Sequence, residues 1–293
     1  ANHVWLIFVL VMTWTCFPAA FGPLMETLYV PLFLAAVGII LRGAAYALRG
    51  EAATISEARG LGAMFALSSI LAPFFFGCAI GAIASGEVPA EGDASRPFGV
   101  WLNPTSLLIG ALAVATGAYN AAVFLAADAK RAGIADLAEA FRRRALGAAI
   151  AAGALALGGL AVINADAPDL FDGLTSGTGL LAVIASALAG LITIWLVASG
   201  RFEPARYTSA TAVGAIIAGW ALAQRPDFLP GELTFEDAAA GTPTLTFVVI
   251  GVVVALLIIV PALYVLFRLK LEGRLGGPVQ PIPGAPTEEE RAG

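Results

Sequence analysis

One histidine, two cysteines and three methionines are all that 293 residues offer as imidazole, thiolate or thioether ligands. A chain this poor in them has almost nothing with which to hold a haem or a metal. If it belongs to a redox machine, the redox centres lie mostly in another chain. Cys16 and Cys78 both fall in apolar stretches, where a thiol behaves as a small hydrophobe. A disulfide framework is therefore not expected, and a metal site from His3, Cys16 and Cys78 would need three distant segments to converge. Charge is scarce too, at 13% Asp, Glu, Lys and Arg against 59% hydrophobic residues. Ordinary soluble domains carry about 25% charged residues. Phosphate-cradling Gly-Lys-Ser, His-Glu-x-x-His and Ser/His/Asp signatures are all missing, which excludes the common soluble-enzyme classes.

What is there is hydrocarbon-compatible length. A spanning helix needs about 20 mostly apolar residues, and a helix satisfies its own backbone polar groups. Eight stretches qualify: Val4–Ala20, Leu24–Leu48, Leu61–Ala84, Pro104–Ala127, Ala145–Ile163, Gly179–Ser199, Ala205–Ala223 and Leu245–Phe267. They are too long for outer-membrane strands of about 9–11 residues. The expected architecture is an all-α integral membrane protein, a polytopic bundle over residues 1–271. Residues 272–293 form a Pro/Gly-rich tail ending in Glu288–Glu290, a composition expected to be disordered. Asp128–Arg144 is expected to extend the helix before it or the one after. The chain opens directly into an apolar segment, with no initiator Met, basic n-region or cleavage pattern. It reads as a fragment lacking its upstream part, not as a signal peptide.

Cationic charge sorts by loop. Of the 16 Lys and Arg, all but Arg96 and Arg225 fall on one side of the eight-span scheme: Arg42, Arg49 and Arg59, then Lys130, Arg131 and Arg142–Arg144, then Arg201 and Arg206, then the tail. The opposite loops are acidic, with Glu87, Glu91, Asp93, Asp166, Asp169, Asp172, Asp227, Glu232, Glu236 and Asp237. Lys and Arg mark cytoplasmic loops, so the C-terminus and Ala1 are expected on the cytoplasmic side of the membrane. These cations are inside-loop anchors, and no nucleic-acid partner is implied.

Ionisable or polar groups near apolar spans are the candidate functional residues, because burying charge in hydrocarbon costs at least about 2.5 kcal/mol by insertion scales. Glu26 is either a proton-accepting carboxylate near the outer surface or a solvated helix cap. Arg42 either holds a buried carboxylate or cofactor propionate, or is an anchor that snorkels. Sixteen residues of helix, about 24 Å, keep the two from pairing. Asn2, His3 and Trp5 form a polar-aromatic entrance; the plainer reading is interfacial anchoring by Trp5 beside a solvated His3. Asn103-Pro104 is a helix start. Tyr119 and Asn120 are expected to bond to a neighbouring helix. Gly77–Gly81 is a GxxxG that serves either internal packing or a subunit interface.

The landmarks Asn2-His3-Val4-Trp5-Leu6-Ile7, Phe17-Pro18-Ala19-Ala20-Phe21, Leu28-Tyr29-Val30-Pro31-Leu32 and Leu41-Arg42-Gly43-Ala44-Ala45-Tyr46 recur, in that order, in a known family. So do Leu102-Asn103-Pro104, the loop Ala223-Gln224-x-Pro226-Asp227-x-Leu229-Pro230, and Val260-Pro261-x-Leu263 with Leu266-Phe267-Arg268. Together they resemble subunit II of cytochrome bd-type quinol oxidase, over the chain up to Leu271. The resemblance implies nine helices in the full-length subunit, eight of them here. It implies a heterodimer with a homologous subunit I that holds the b-type and d-type haems and oxidises quinol, while this chain binds no cofactor. It also implies that acids linked to the proton route toward the haem precede Ala1, that Arg42 is what remains of that route, and that Trp5 borders a region of dioxygen entry. Glu26 departs from the small or neutral residue expected there.

The reading is thus an accessory haem-poor subunit of a membrane quinol:dioxygen oxidoreductase. It would support subunit I and line part of a proton or dioxygen path, with Asn2, His3, Trp5, Glu26 and Arg42 as candidates for that path or for the subunit interface. A small-solute transporter is the rival from another class, although no repeat and no midplane charge cluster favours it. A structural membrane scaffold is the third reading.

Overall fold

The computed structural model describes residues 3–52 and 54–271. The tail from Glu272, expected to be disordered, lies outside the described residues, as do Ala1 and Asn2. Eleven α-helices carry the described chain: α1 His3–Cys16, α2 Pro18–Thr27, α3 Tyr29–Leu48, α4 Ile55–Ala84, α5 Pro104–Arg131, α6 Ala135–Asp166, α7 Pro168–Thr175, α8 Gly177–Ala198, α9 Phe202–Ala223, α10 Phe235–Ala238 and α11 Thr242–Leu271. Six of the helical segments are long and apolar enough to cross a membrane: those starting at Tyr29, Ile55, Pro104, Ala135, Gly177 and Thr242. Trp5–Cys16 is a shorter apolar helix.

The first expected span, Val4–Ala20, is not one helix. It breaks at Phe17, and the cause is Pro18, which opens α2. Proline has no N–H to donate, which suits a first helical position better than an interior one. A second break at Leu28 separates α2 from α3. Pro73 and Pro261, by contrast, sit inside the unbroken α4 and α11, as transmembrane helices tolerate. The segment Asp128–Arg144 extends both neighbours. It completes α5 and opens α6 around a turn where Gly133 takes φ +75°. Besides a 3-10 turn at Arg49–Glu51, the described residues depart from an all-α chain in a small antiparallel ribbon, β1 Asp227–Leu229 with β2 Leu233–Thr234.

Helix starts follow local chemistry. Thr54 and Glu57 form a reciprocal capping box before α4, with Glu57 N–H on Thr54 Oγ1 at 3.2 Å and Thr54 N–H on Glu57 Oε2 at 3.3 Å. Asn103 caps α5 as its sequence predicts, accepting from Ser106 N–H at 2.7 Å with Pro104 at the first turn. A second cap comes from outside the helix. Asp166, the last residue of α6, accepts the Thr105 N–H at 3.0 Å.

Two compact units divide the chain. The first comprises Ala1–Pro18, Leu41–Ala66 and Ala239–Gly293. Within it α1 packs on α11, and Ala240 N–H reaches Cys16 O at 2.8 Å. The second comprises Ala19–Ile40 and Leu67–Ala238. There α5 and α6 form one helical hairpin, α8 and α9 another, and α5 packs on α9. One end of this unit is an alanine-rich core around Val123, Ala126, Ala145, Val197 and Ala205. Small side chains let helices approach closely where hydrophobicity cannot separate protein from lipid. A second core gathers Leu24, Leu28, Cys78, Val100, Trp101 and Leu229.

The GxxxG of α4 serves internal packing. A Cβ at Gly77 would lie 2.7 Å from Gly110 Cα of α5, and one at Gly81 would overlap Ser106 Cα. Cys78 is buried and unbonded to Cys16, as the sequence predicts for two apolar thiols.

Candidate functional site

Asn2 lies outside the described residues, and His3 is the first residue of α1. Trp5 follows on α1, 47% exposed, its ring edge-to-face with Phe8 at 5.9 Å between centroids. That is the amphipathic placement of an interfacial anchor. Arg42 of α3 is half-buried, with its guanidinium over the Phe65 ring of α4 at 5.0 Å. The cation-π contact holds the charge against an apolar face, which a snorkelling side chain alone would not require. Trp5 and Arg42 belong to the first unit and Glu26 to the second.

Glu26 is the next-to-last residue of α2 and its side chain is exposed. A loop folds over it. Gly92, at φ +79°, comes so near that a Cβ there would lie 2.7 Å from Glu26 Oε2. The adjacent Thr27 is fully buried, and its hydroxyl accepts Asp93 N–H at 2.9 Å. Asp93 organises the loop in turn. Its Oδ1 accepts the Ser95 hydroxyl at 2.6 Å and the Ser95 N–H at 2.8 Å, while Oδ2 accepts Arg96 Nε at 2.9 Å. Arg96 also reaches Glu87 at 3.2 Å.

These bonds, the Ser95 hydroxyl first and Arg96 next, hold the Asp93 carboxyl at about 2, below its usual 3.8. A carboxyl whose folded pKa is depressed stabilises the fold above its unfolded pKa and loses that contribution as pH falls through the folded value. The protection of the Gly92–Ser95 amides, taken as exchange relative to the intrinsic rate at each pH, is therefore expected to stay constant from neutral pH down to 3.8 and to fall between 3.8 and about 2. Asp93→Asn removes that step, and an unchanged acid profile in the variant would discount the role of Asp93.

Polar groups missed as a set by sequence reasoning lie inside the second unit. Thr193 of α8 and Thr208 of α9 place their hydroxyls 2.7 Å apart, and Ser186 of α8 donates to Ala212 O of α9 at 2.9 Å. The Tyr119 hydroxyl is buried near Thr193 but, against expectation, has no hydrogen-bond partner among the described residues. Asn120 does not make the interhelical bond expected of it: its Oδ1 is buried without a hydrogen-bond partner among the described residues. A hydroxyl at a helix interface looks, in sequence, like any Ser or Thr within an apolar run. Such pairs average about 0.6 kcal/mol in membrane helices, so Thr193→Val is expected to lower the thermal midpoint only slightly.

The donor set does not suit a haem held within this chain. The sequence has no second histidine, and Met12, Met25 and Met64 are spread over α1, α2 and α4. Among the described residues, no group of three or more His, Cys, Asp or Glu is placed to hold a metal ion.

The family described as cytochrome bd terminal oxidase subunit II matches residues 1–270. In fold, the chain is similar to a chain in the structure of bd oxidase from Geobacillus thermodenitrificans. The TM-score is 0.69 at 13% identity, covering 88% of this chain and 81% of that one. Among curated proteins, none matches.

Proposed function

This chain belongs to the family of cytochrome bd terminal oxidase subunit II, and from that premise we propose that it is the haem-poor integral subunit of a quinol:dioxygen oxidoreductase. The family is a subunit of an oxidoreductase complex of the respiratory chain, and the chain is a membrane protein. The observation that carries the proposal is the family match from residue 1 to residue 270, which takes in α1 to α11 almost entirely. It favours the oxidase reading over the transporter. The scarcity of ligands in the sequence supports placing the b-type and d-type haems, and quinol oxidation, in a partner subunit I.

Eight spans form the membrane bundle. The six long apolar helices are completed by α1 and α9. At 14 residues α1 reaches about 21 Å, and α2 continues the chain beyond Pro18. The basic ends of α5 and α9, with the tail, face the cytoplasm by the charge rule.

Within the complex, Arg42 lines a proton or dioxygen path together with Asn2, His3 and Trp5. Its half-buried charge beside Phe65 supports that role. Glu26 sits under the outer loop as its solvated carboxylate. Arg42→Leu is expected to lower quinol-driven oxygen uptake of the complex with haem content unchanged, and Glu26→Gln to leave it near the parent value. Affinity purification through a tag on this chain is expected to bring down a haem-bearing second chain that consumes oxygen with quinol. Recovery of a haem-free chain by itself overturns the proposal.

A further inference from the structure

The basic end of the second unit carries an open groove of about 390 Å³ where α5, α6, α8 and α9 meet. We propose that this groove is a binding site for the phosphodiester headgroup of an anionic glycerophospholipid in the surrounding leaflet.

The cations are held in place, not free on the surface. Lys130 Nζ donates to Gly200 O at 2.7 Å and lies 5.5 Å from the centre of the Phe202 ring. Arg142 donates from Nε to Val197 O at 3.2 Å and from Nη2 to Ala198 O at 2.8 Å. Arg142 therefore caps the carbonyl end of α8, where a cation is favoured, and Lys130 holds the turn just beyond it. Neither is exhausted by this. An ammonium has three donors and a guanidinium five, so N–H groups remain for a phosphate. Ala135, Ala138, Ala198 and Phe202 give the groove an apolar floor, and Glu139, Ser199 and Gly200 complete the lining. A free inorganic anion gains nothing from such a floor, whereas the glycerol and upper acyl carbons of a lipid do.

The depth is also that of headgroups. Trp195, one turn before the end of α8, is 58% exposed and carries Arg201 over its ring at 5.7 Å. Tryptophan at that level marks the membrane–water boundary. Basic pockets between spanning helices at this boundary recognise anionic headgroups. Glu139 lies in the same groove and accepts Arg142 Nη1 at 2.9 Å. It competes with the phosphate for Arg142 and sets the affinity below what the two cations alone would give.

That competition supplies a test with opposite signs. The complex recovered through a tag on the full chain is stripped of loosely bound lipid in detergent. It is then titrated with phosphatidylglycerol or with phosphatidylcholine of the same acyl chains, and retained lipid is counted by native mass spectrometry. The parent is expected to prefer phosphatidylglycerol. Lys130→Gln with Arg142→Gln reduces that preference by about fivefold for each cation removed, and Glu139→Gln raises it. Millimolar inorganic phosphate leaves the retained lipid in place. An unchanged preference in the double variant overturns the proposal, as does displacement of the lipid by inorganic phosphate. Should the double variant fail to assemble, Glu139→Gln decides: higher retention upholds the site, and equal or lower retention overturns it.

Discussion

Gly81→Leu is expected to abolish recovery of folded protein, while Gly62→Ala, in the same helix, leaves recovery intact and raises stability. The difference is what a Cβ meets. At Gly81 it overlaps the backbone of Ser106, with Thr105 O beside it at 3.1 Å, and neither can turn aside as a long side chain can. Even Gly81→Ala forces α4 and α5 apart, an overpacking cost of about 1–3 kcal/mol; leucine adds three more carbons to the same space. Gly77, one turn earlier, faces Gly110 Cα at 2.7 Å, so the two glycines define one seam. At Gly62 nothing lies within 4 Å, and replacing an interior helical glycine by alanine is worth roughly 0.5–1 kcal/mol. Fluorescence-detected size exclusion after a heating series separates the outcomes. Equal thermal midpoints for Gly81→Ala and the parent would mean that the seam is looser than its geometry.

Asp166→Ala is expected to destabilise the second unit by about 1–3 kcal/mol, the cost of leaving a buried donor unpaired. Thr105 is fully buried, and its N–H has Asp166 as acceptor. The carboxylate sits poorly for its own helix, since a negative charge at the end of α6 opposes that helix's dipole. At the start of α5 the same charge is favourable. One residue thus ties the two ends of the hairpin together. Asp166→Asn keeps an acceptor oxygen and is expected to cost less than half as much in the same thermal series. If asparagine and alanine are equally damaging, the charge and not the hydrogen bond carries the effect.

The sequence foretells the spans well where apolar length and flanking charge coincide, as in α5, α8 and α11. It also foretells the Asn103 cap, because that cap is local: donor and acceptor are three residues apart. The break at Phe17 is legible in hindsight from Pro18, but Pro73 and Pro261 read the same way and break nothing. A proline's effect depends on whether neighbouring groups satisfy the freed carbonyl, which spacing does not encode. The Asp166–Thr105 contact joins residues 61 apart, so no window of sequence contains it. Among the candidate residues, Arg42 gained a specific aromatic neighbour in Phe65. Glu26 gained a covering loop anchored by Thr27 and Asp93, visible only once the chain returns to α2. The groove around Lys130 and Arg142 looks, in sequence, like two ordinary basic loops; folding brings them to the carbonyl end of α8.

The central claim is that this subunit belongs to an oxidase whose haems another chain holds. A reduced-minus-oxidised spectrum, taken on the complex purified through this chain and again on this chain expressed by itself in the same membrane, tests it most directly. The account predicts haem bands in the complex and a flat spectrum for the chain alone. Haem bands that stay with the isolated chain, or a quinol-oxidising complex that lacks them, would contradict it.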